Sequence, residues 1–151
     1  MKIKKIKAFE ILDSRGTPTI ATLMVSDDAS NELGFVPSGA STGSREAIEK
    51  RDNGNCFNGK GVSKVIKTAE QNLFPELIGM KLGLQEEFDS KLIELDGTNN
   101  KKNFGANIIL SLSLAYCKLS ASAEKKPLYK YIHDYFKKHF SSEIEMKMPL
   151  P

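Results

Sequence analysis

A chain of 151 residues can bury the core of one domain, and its 40% hydrophobic and 27% charged residues exclude a disordered or fibrous protein. Its net charge of +3 is too small an excess to imply a nucleic-acid partner. Its two cysteines, Cys56 and Cys117, form no C-x-x-C pair and exclude a disulfide framework, which fits a reducing compartment.

The chain opens M-K-I-K-K-I-K-A, basic but without the apolar run of a secretory signal, so it reads as cytoplasmic. Lys2, Lys4, Lys5 and Lys7 suit an edge strand that must avoid pairing with other chains. They lack the interleaved aromatics of a nucleic-acid platform. Strand-like residues run from Ile6 to Leu12, D-S-R-G at Asp13–Gly16 marks a turn whose Asp13 carboxylate and Arg15 guanidinium are expected to tie loops together, and Thr19–Val25 is rich in β-branched residues. Pro18 stands at a strand entry, where its missing N–H costs little. A second turn around Asp27–Asn31 leads to a short strand at Leu33–Val36. Short connections between three strands predict an antiparallel meander.

The segment V-P-S-G-A-S-T-G-S-R-E, Val36–Glu46, cannot bury much apolar surface. Gly39 and Gly43 permit backbone geometries closed to other residues. Thr42 or Gly43 can cap a following helix, with Glu46 reaching back. Capping does not require S-G-A-S, and a hydroxyl-bearing loop at a helix N-terminus suits an anion or its metal ion. On the residues alone, a plain turn and a ligand lid remain equal readings.

G-N-C-F-N-G-K-G, Gly54–Gly61, has the spacing of a phosphate-binding loop but places Gly61 where a magnesium-binding hydroxyl is required. It reads as a mobile glycine-rich loop before a helix. The period then becomes 3.6. Val62, Val65, Ile66, Ala69 and Leu73 form one stripe, and Leu84, Phe88, Leu92 and Leu95 another. In L-D-G-T-N-N-K, Gly97 suits a left-handed helix end and Asp96 a capping role. Phe104–Ala121 is apolar on most faces and predicts the central helix. Its uncharged core, Phe104–Cys117, is too short to span a membrane. Pro127 opens a last helix with Leu128, Tyr131, Ile132 and Tyr135 directed inward. His133 and His139 have no metal-like spacing and read as surface histidines. The fold class is α+β: a three-stranded antiparallel meander followed by a helical bundle covering one side of the sheet. The domain is expected over residues 1–136, with residues 137–151 as a linker.

Seven strings carry a resemblance: D-S-R-G-T-P-T (Asp13–Thr19), V-P-S-G-A-S-T-G-S-R-E-A (Val36–Ala47), G-K-G-V (Gly59–Val62), L-I-G-M (Leu77–Met80), E-L-D-G-T-N-N-K (Glu94–Lys101), F-G-A-N-I-I-L-S-L-S-L-A (Phe104–Ala115) and P-L-Y-K-Y-I (Pro127–Ile132). In this order and spacing, the chain resembles the N-terminal domain of enolase, the phosphopyruvate hydratase of glycolysis. The resemblance implies a magnesium-dependent carbon–oxygen lyase in which a C-terminal α/β barrel, beyond residue 151, supplies the base, the acid and the carboxylates for two magnesium ions. This domain would supply a mobile lid: Ser38, Gly39, Ala40, Ser41, Thr42 and Gly43. Ser41 would give oxygen ligands to the second magnesium, at most one ion thus touching this domain.

The chemistry is coherent. Removing a proton α to a carboxylate needs strong charge stabilisation, and a closing oxygen-rich loop completes a metal's shell and expels water. The partners implied are the barrel, 2-phosphoglycerate, phosphoenolpyruvate and a second copy of the parent as homodimer or higher oligomer, with no specific nucleic acid and no membrane span. The 151 residues alone are expected to be inactive; the alternative is a stand-alone enolase-like binding or scaffolding domain. The chain departs from the family at Ala21, where a glutamate often paired across the dimer is usual, and at Thr17, where asparagine is usual. It departs also at Arg51–Phe57 and His133–Phe140.

Overall fold

The structure, a computed structural model, describes residues 1–39, 43 and 46–140. Three strands, β1 (Ile3–Leu12), β2 (Pro18–Ser26) and β3 (Asn31–Phe35), form an antiparallel sheet in the order β1-β2-β3. The expected meander is present, each strand extending further at its start than its β-branched core indicated. The register pairs Ala8 with Thr22 and Thr22 with Gly34, placing all three on one face with Ile6, Ile20 and Met24. The opposite face carries the row Phe9, Ala21 and Phe35, in which Ala21 is buried between two partly exposed rings.

The helices follow: α1 (Ser63–Asn72), α2 (Phe74–Leu77), α3 (Gln85–Asp96), α4 (Ala106–Ala123) and α5 (Leu128–Phe140). Both predicted stripes face the core, with Val65, Ile66 and Ala69 buried on α1 and Phe88 and Leu92 on α3. Leu84, at the start of the second stripe, remains exposed. Gly97 closes α3 in the left-handed conformation. Asp96 is buried and holds the next loop by accepting from the Thr98 and Phe104 N–H groups at 3.2 and 2.9 Å.

α4 is the central helix, as its composition demands, and it lies across β2 and β3. Contact this close requires small residues. A Cβ on Gly34 would stand 2.1 Å from the Ser111 carbonyl oxygen of α4. The Thr22 and Ser111 hydroxyls satisfy each other at 2.7 Å in the same buried layer. On its other side, Tyr116 stacks on Phe88 with ring centroids 4.0 Å apart, and its hydroxyl donates to the Lys81 carbonyl at 2.6 Å. By length and composition α4 passes as a membrane span, but half of it is buried within the fold.

Two expectations change. α5 buries Tyr131 but leaves Leu128 and Ile132 exposed, because only the face of this short amphipathic helix that meets α4 finds apolar cover. The helix also runs through Phe140, so residues 137–140 of the expected linker are helical. Lys137, Lys138 and His139 in the last turn suit the negative end of its dipole. Residues 141–151 lie outside the described residues.

Candidate functional site

The strand β3 delivers the chain to the Ser/Gly-rich loop, and three side chains fasten the delivery point. The Thr19 hydroxyl donates to the Val36 carbonyl. The turn at Asp13–Gly16 then reaches Ser38. Asp13 Oδ1 closes its own turn by accepting the Arg15 and Thr17 N–H groups, both at 2.9 Å. Asp13 Oδ2 accepts the Ser38 hydroxyl proton, and Arg15 Nη2 donates to the Ser38 carbonyl at 2.5 Å and to its Oγ at 2.9 Å. Ser38 is buried at 6% exposure. The Ser38 hydroxyl, foremost, and then the Thr17 N–H hold the Asp13 carboxyl well below the usual carboxylate range.

One residue on, the Gly39 N–H donates to Glu49 Oε2 at 3.2 Å. Glu49 is itself paired with Arg51, whose guanidinium also donates to the Pro18 and Lys60 carbonyls. Beyond the loop, the Glu46 N–H closes a turn on the Gly43 carbonyl at 3.2 Å. Among the described residues no helix starts here, contrary to the capping pattern in T-G-S-R-E: residues 46–50 run without regular structure. Their backbone groups find partners elsewhere. The Ile48 N–H donates to the Asn100 carbonyl at 2.7 Å, and the Ile48 carbonyl accepts the Ala106 N–H at 2.8 Å. Asn107, buried near the start of α4, accepts from the Lys50 N–H at 3.2 Å and donates to the Lys50 carbonyl at 3.0 Å.

The two fastened stems flank a cavity of about 510 Å³ lined by Pro37, Gly39, Gly43, Glu49, Arg51 and Leu110, among others. Gly39 and Gly43 are exposed. Of the six expected lid residues, Ser38 is therefore buried and bonded, the two glycines border an open groove, and Ala40, Ser41 and Thr42 lie outside the described residues.

The second glycine-rich loop is built differently. The Asn53 N–H donates to the Gly59 carbonyl at 3.0 Å and the Asp52 N–H to the Gly61 carbonyl at 2.8 Å, folding Cys56–Gly59 into a tight 3-10 turn. Phe57 and Asn58 both take φ of 52° within it. The N-terminus of α1 is filled by carboxylates: Asp52 accepts the Lys64 and Val65 N–H groups, and Glu10 accepts the Val62 N–H. A phosphate would meet two negative charges there, so the near-match to a phosphate loop carries no such site.

A magnesium ion needs an octahedral shell of oxygens, commonly including carboxylates. Among the described residues, no group of three or more His, Cys, Asp or Glu is arranged to hold a metal ion. Asp13 and Glu49, the carboxylates beside the loop, already serve Ser38 and Gly39. The described residues therefore do not form a magnesium site on their own.

The tie between Asp13, Arg15 and the neighbouring loop was legible in D-S-R-G. The roles of Thr19, Glu49, Arg51 and Asn107 were not: each acts on a backbone group distant in sequence, which no local pattern records.

Comparison with known proteins agrees with this architecture. Residues 3–132 match the family model described as "Enolase, N-terminal domain". The chain is 45% identical over 150 residues to the enolase of Malacoplasma penetrans (strain HF-2), covering 99% of this chain and 33% of the relative. It is 49% identical over 131 residues to that of Thermococcus gammatolerans (strain DSM 15229 / JCM 11827 / EJ3), covering 87% of this chain and 30% of the relative. The chain thus spans about a third of the length of the curated relatives it matches. A three-stranded meander under a central helix, seven ordered motifs and a match over residues 3–132 have one common account: this chain belongs to the enolase N-terminal domain family.

Proposed function

We propose that this chain is the N-terminal domain of a phosphopyruvate hydratase, which removes water from 2-phosphoglycerate to give phosphoenolpyruvate. Its contribution is the Ser38–Gly43 segment, which acts as a lid over an active site whose base, acid and carboxylates belong to a C-terminal α/β barrel of the same parent. The observation that carries this reading is the pair of fastened stems, Val36–Gly39 and Glu46–Lys50, presenting exposed Gly39 and Gly43 at one open groove. Small residues there let backbone and hydroxyl oxygens approach a ligand closely.

In this reading Ser41 offers hydroxyl and carbonyl oxygens to one of two magnesium ions, whose charge, when bound, favours loss of the proton α to the substrate carboxylate. Gly39 and Gly43 allow the segment to close and exclude water. Ser38 and its clamp hold the segment's near end. The parent is cytoplasmic and assembles as a homodimer or higher oligomer, and the 151 residues alone do not turn over substrate.

The test is the product of the complete reading frame, assayed with 2-phosphoglycerate and magnesium. Ser41→Ala is expected to lower kcat/KM by about 100-fold, the scale of losing a positioned charge-stabilising contact. An unchanged rate would remove the lid assignment. No dehydration by the intact parent would leave the binding or scaffolding reading instead.

A further inference from the structure

Asn-Gly occurs twice in this chain, at Asn53–Gly54 and Asn58–Gly59, both in the loop ahead of α1. The pair has a chemistry of its own. The glycine nitrogen can attack the asparagine side-chain carbonyl carbon, because glycine has no Cβ to obstruct the approach. Attack asks two things of the backbone: a nitrogen outside any hydrogen bond, and a peptide plane free to turn toward the side chain. The fold treats the two pairs differently in both respects.

Asn53 and Asn58 are both exposed, and both hold a left-handed φ of 52°. Asparagine tolerates that region, so strain does not distinguish them. Asn58–Gly59 lies inside the 3-10 turn Cys56–Gly59, where i→i+3 bonds occupy the amides, and the Lys60 N–H closes the turn on the Phe57 carbonyl at 3.0 Å. The Gly59 carbonyl also accepts the Asn53 N–H at 3.0 Å. Gly59 is thus held on both sides. Asn53 is anchored only behind the reacting bond, through that same N–H. Among the described residues, the Asn53 carbonyl, the Asn53 side chain and the Gly54 N–H have no hydrogen-bond partner. Space is open as well: a Cβ on Gly54 would meet only the Lys64 Nζ, at 3.9 Å.

We propose that Asn53 is a site of spontaneous deamidation, to which the fold directs the reaction in preference to Asn58. The Gly54 nitrogen gives its proton to solvent base and attacks Asn53 Cγ. A bond forms between that nitrogen and Cγ, the Cγ–Nδ2 bond breaks, and ammonia leaves with the proton that the glycine gave up. The product is a cyclic imide, which water then opens. Cleavage at Cγ leaves aspartate. Cleavage at the main-chain carbonyl leaves isoaspartate, with the side-chain methylene now in the backbone. By either route one neutral amide and one water become one carboxylate and one ammonium. The new charge arises next to Asp52, whose carboxylate caps α1 through the Lys64 N–H at 3.0 Å and the Val65 N–H at 3.2 Å. The inference stands apart from the lid reading of residues 38–43.

The intact parent, held in mildly alkaline buffer and sampled over time, provides the test. Peptide mapping by mass spectrometry, with fragmentation that separates aspartate from isoaspartate, follows residues 53 and 58. The same incubation in denaturant gives both rates with the fold removed. The expected result is conversion about 10-fold faster at Asn53 than at Asn58 in the folded protein, against rates within about two-fold of each other in denaturant. Gly54→Ala, whose methyl group the structure accommodates, is expected to slow conversion of Asn53 by about 10-fold. Its thermal unfolding and its conversion at Asn58 should match wild type.

Equal or faster conversion at Asn58 in the folded protein would overturn the proposal. So would a preference that persists unchanged in denaturant, since flanking sequence and not the fold would then set it. Conversion of folded Asn53 more than about 10-fold below its rate in denaturant would mean that the loop protects the bond, and the proposal would fall. Undiminished conversion in Gly54→Ala would rule out the imide route.

Discussion

Two glycine-rich loops meet different fates in this fold. Residues 54–61 close on themselves through backbone bonds between residues 52–53 and 59–61, and Asp52 and Glu10 occupy the helix N-terminus beyond. Residues 38–43 are instead held from outside. Asp13, Arg15, Thr19 and Glu49 grip the near stem, and Asn100, Ala106 and Asn107 grip the far one. The first loop is closed by its own backbone bonds, whereas the second borders a groove with its two glycines. The difference teaches that a glycine-rich composition does not by itself set a loop's part in the fold; the destination of each backbone hydrogen bond separates the two.

The contrast can be broken most strongly at Asn107. Asn107→Ala leaves the Lys50 N–H and carbonyl without their partner beside α4 and is expected to cost about 2 kcal/mol. Denaturant unfolding of the domain measures it, and the loss belongs to the 38–43 side alone. Exchange at the Asn53 and Lys60 amides, which report the self-closed loop, should stay as in wild type. An equal rise there would show that the two loops are one unit.

A smaller effect is expected on the other side. Asp52→Ala uncovers the Lys64 and Val65 N–H groups and should cost about 1 kcal/mol, the scale of a lost helix cap. Thermal melting reads this, and exchange at Gly39 should not respond. A response at Gly39 would mean that the Arg51 bridge from Lys60 to Glu49 couples the loops more tightly than their separate bonding implies.

The subtlest comparison is with pH. Asp13 is depressed below its unfolded carboxylate value, chiefly by the Ser38 hydroxyl. Its contribution is therefore fully present above the unfolded value of about 4 and is lost as pH falls toward the folded value. The stability difference between wild type and Asp13→Asn should be constant from neutrality to about pH 5 and shrink below about pH 4. Acid titrations of both proteins check it; a difference that persists unchanged at low pH would assign the effect to shape rather than charge.

The strands, the central helix and the Asp13–Arg15 tie were readable because each is written in local chemistry. β-branched runs stiffen into strands, an all-round apolar stretch must be buried, and D-S-R-G combines a turn with a charge pair. The failures are equally instructive. T-G-S-R-E promises a helix start, but the backbone at Ile48 and Lys50 is claimed by Asn100, Ala106 and Asn107, and tertiary bonds outweigh a cap worth about 1 kcal/mol. The stripe on α5 promises four inward residues, but with only one face against α4, Leu128 and Ile132 stay in water.

By itself, then, the order of residues determined the α+β class, the meander, the family and the oxygen-rich loop between Val36 and Glu46. These follow from periodicity, turn chemistry and motif order, all of which act over a few residues. Only the tertiary structure decided that Ser38 is a fixed point, that Glu49 and Asn107 hold opposite stems, and that Asp52 and Glu10 fill the helix N-terminus beyond residues 54–61. Those outcomes depend on hydrogen-bond partners up to 57 residues apart, brought together by packing α4 on Gly34 and the sheet.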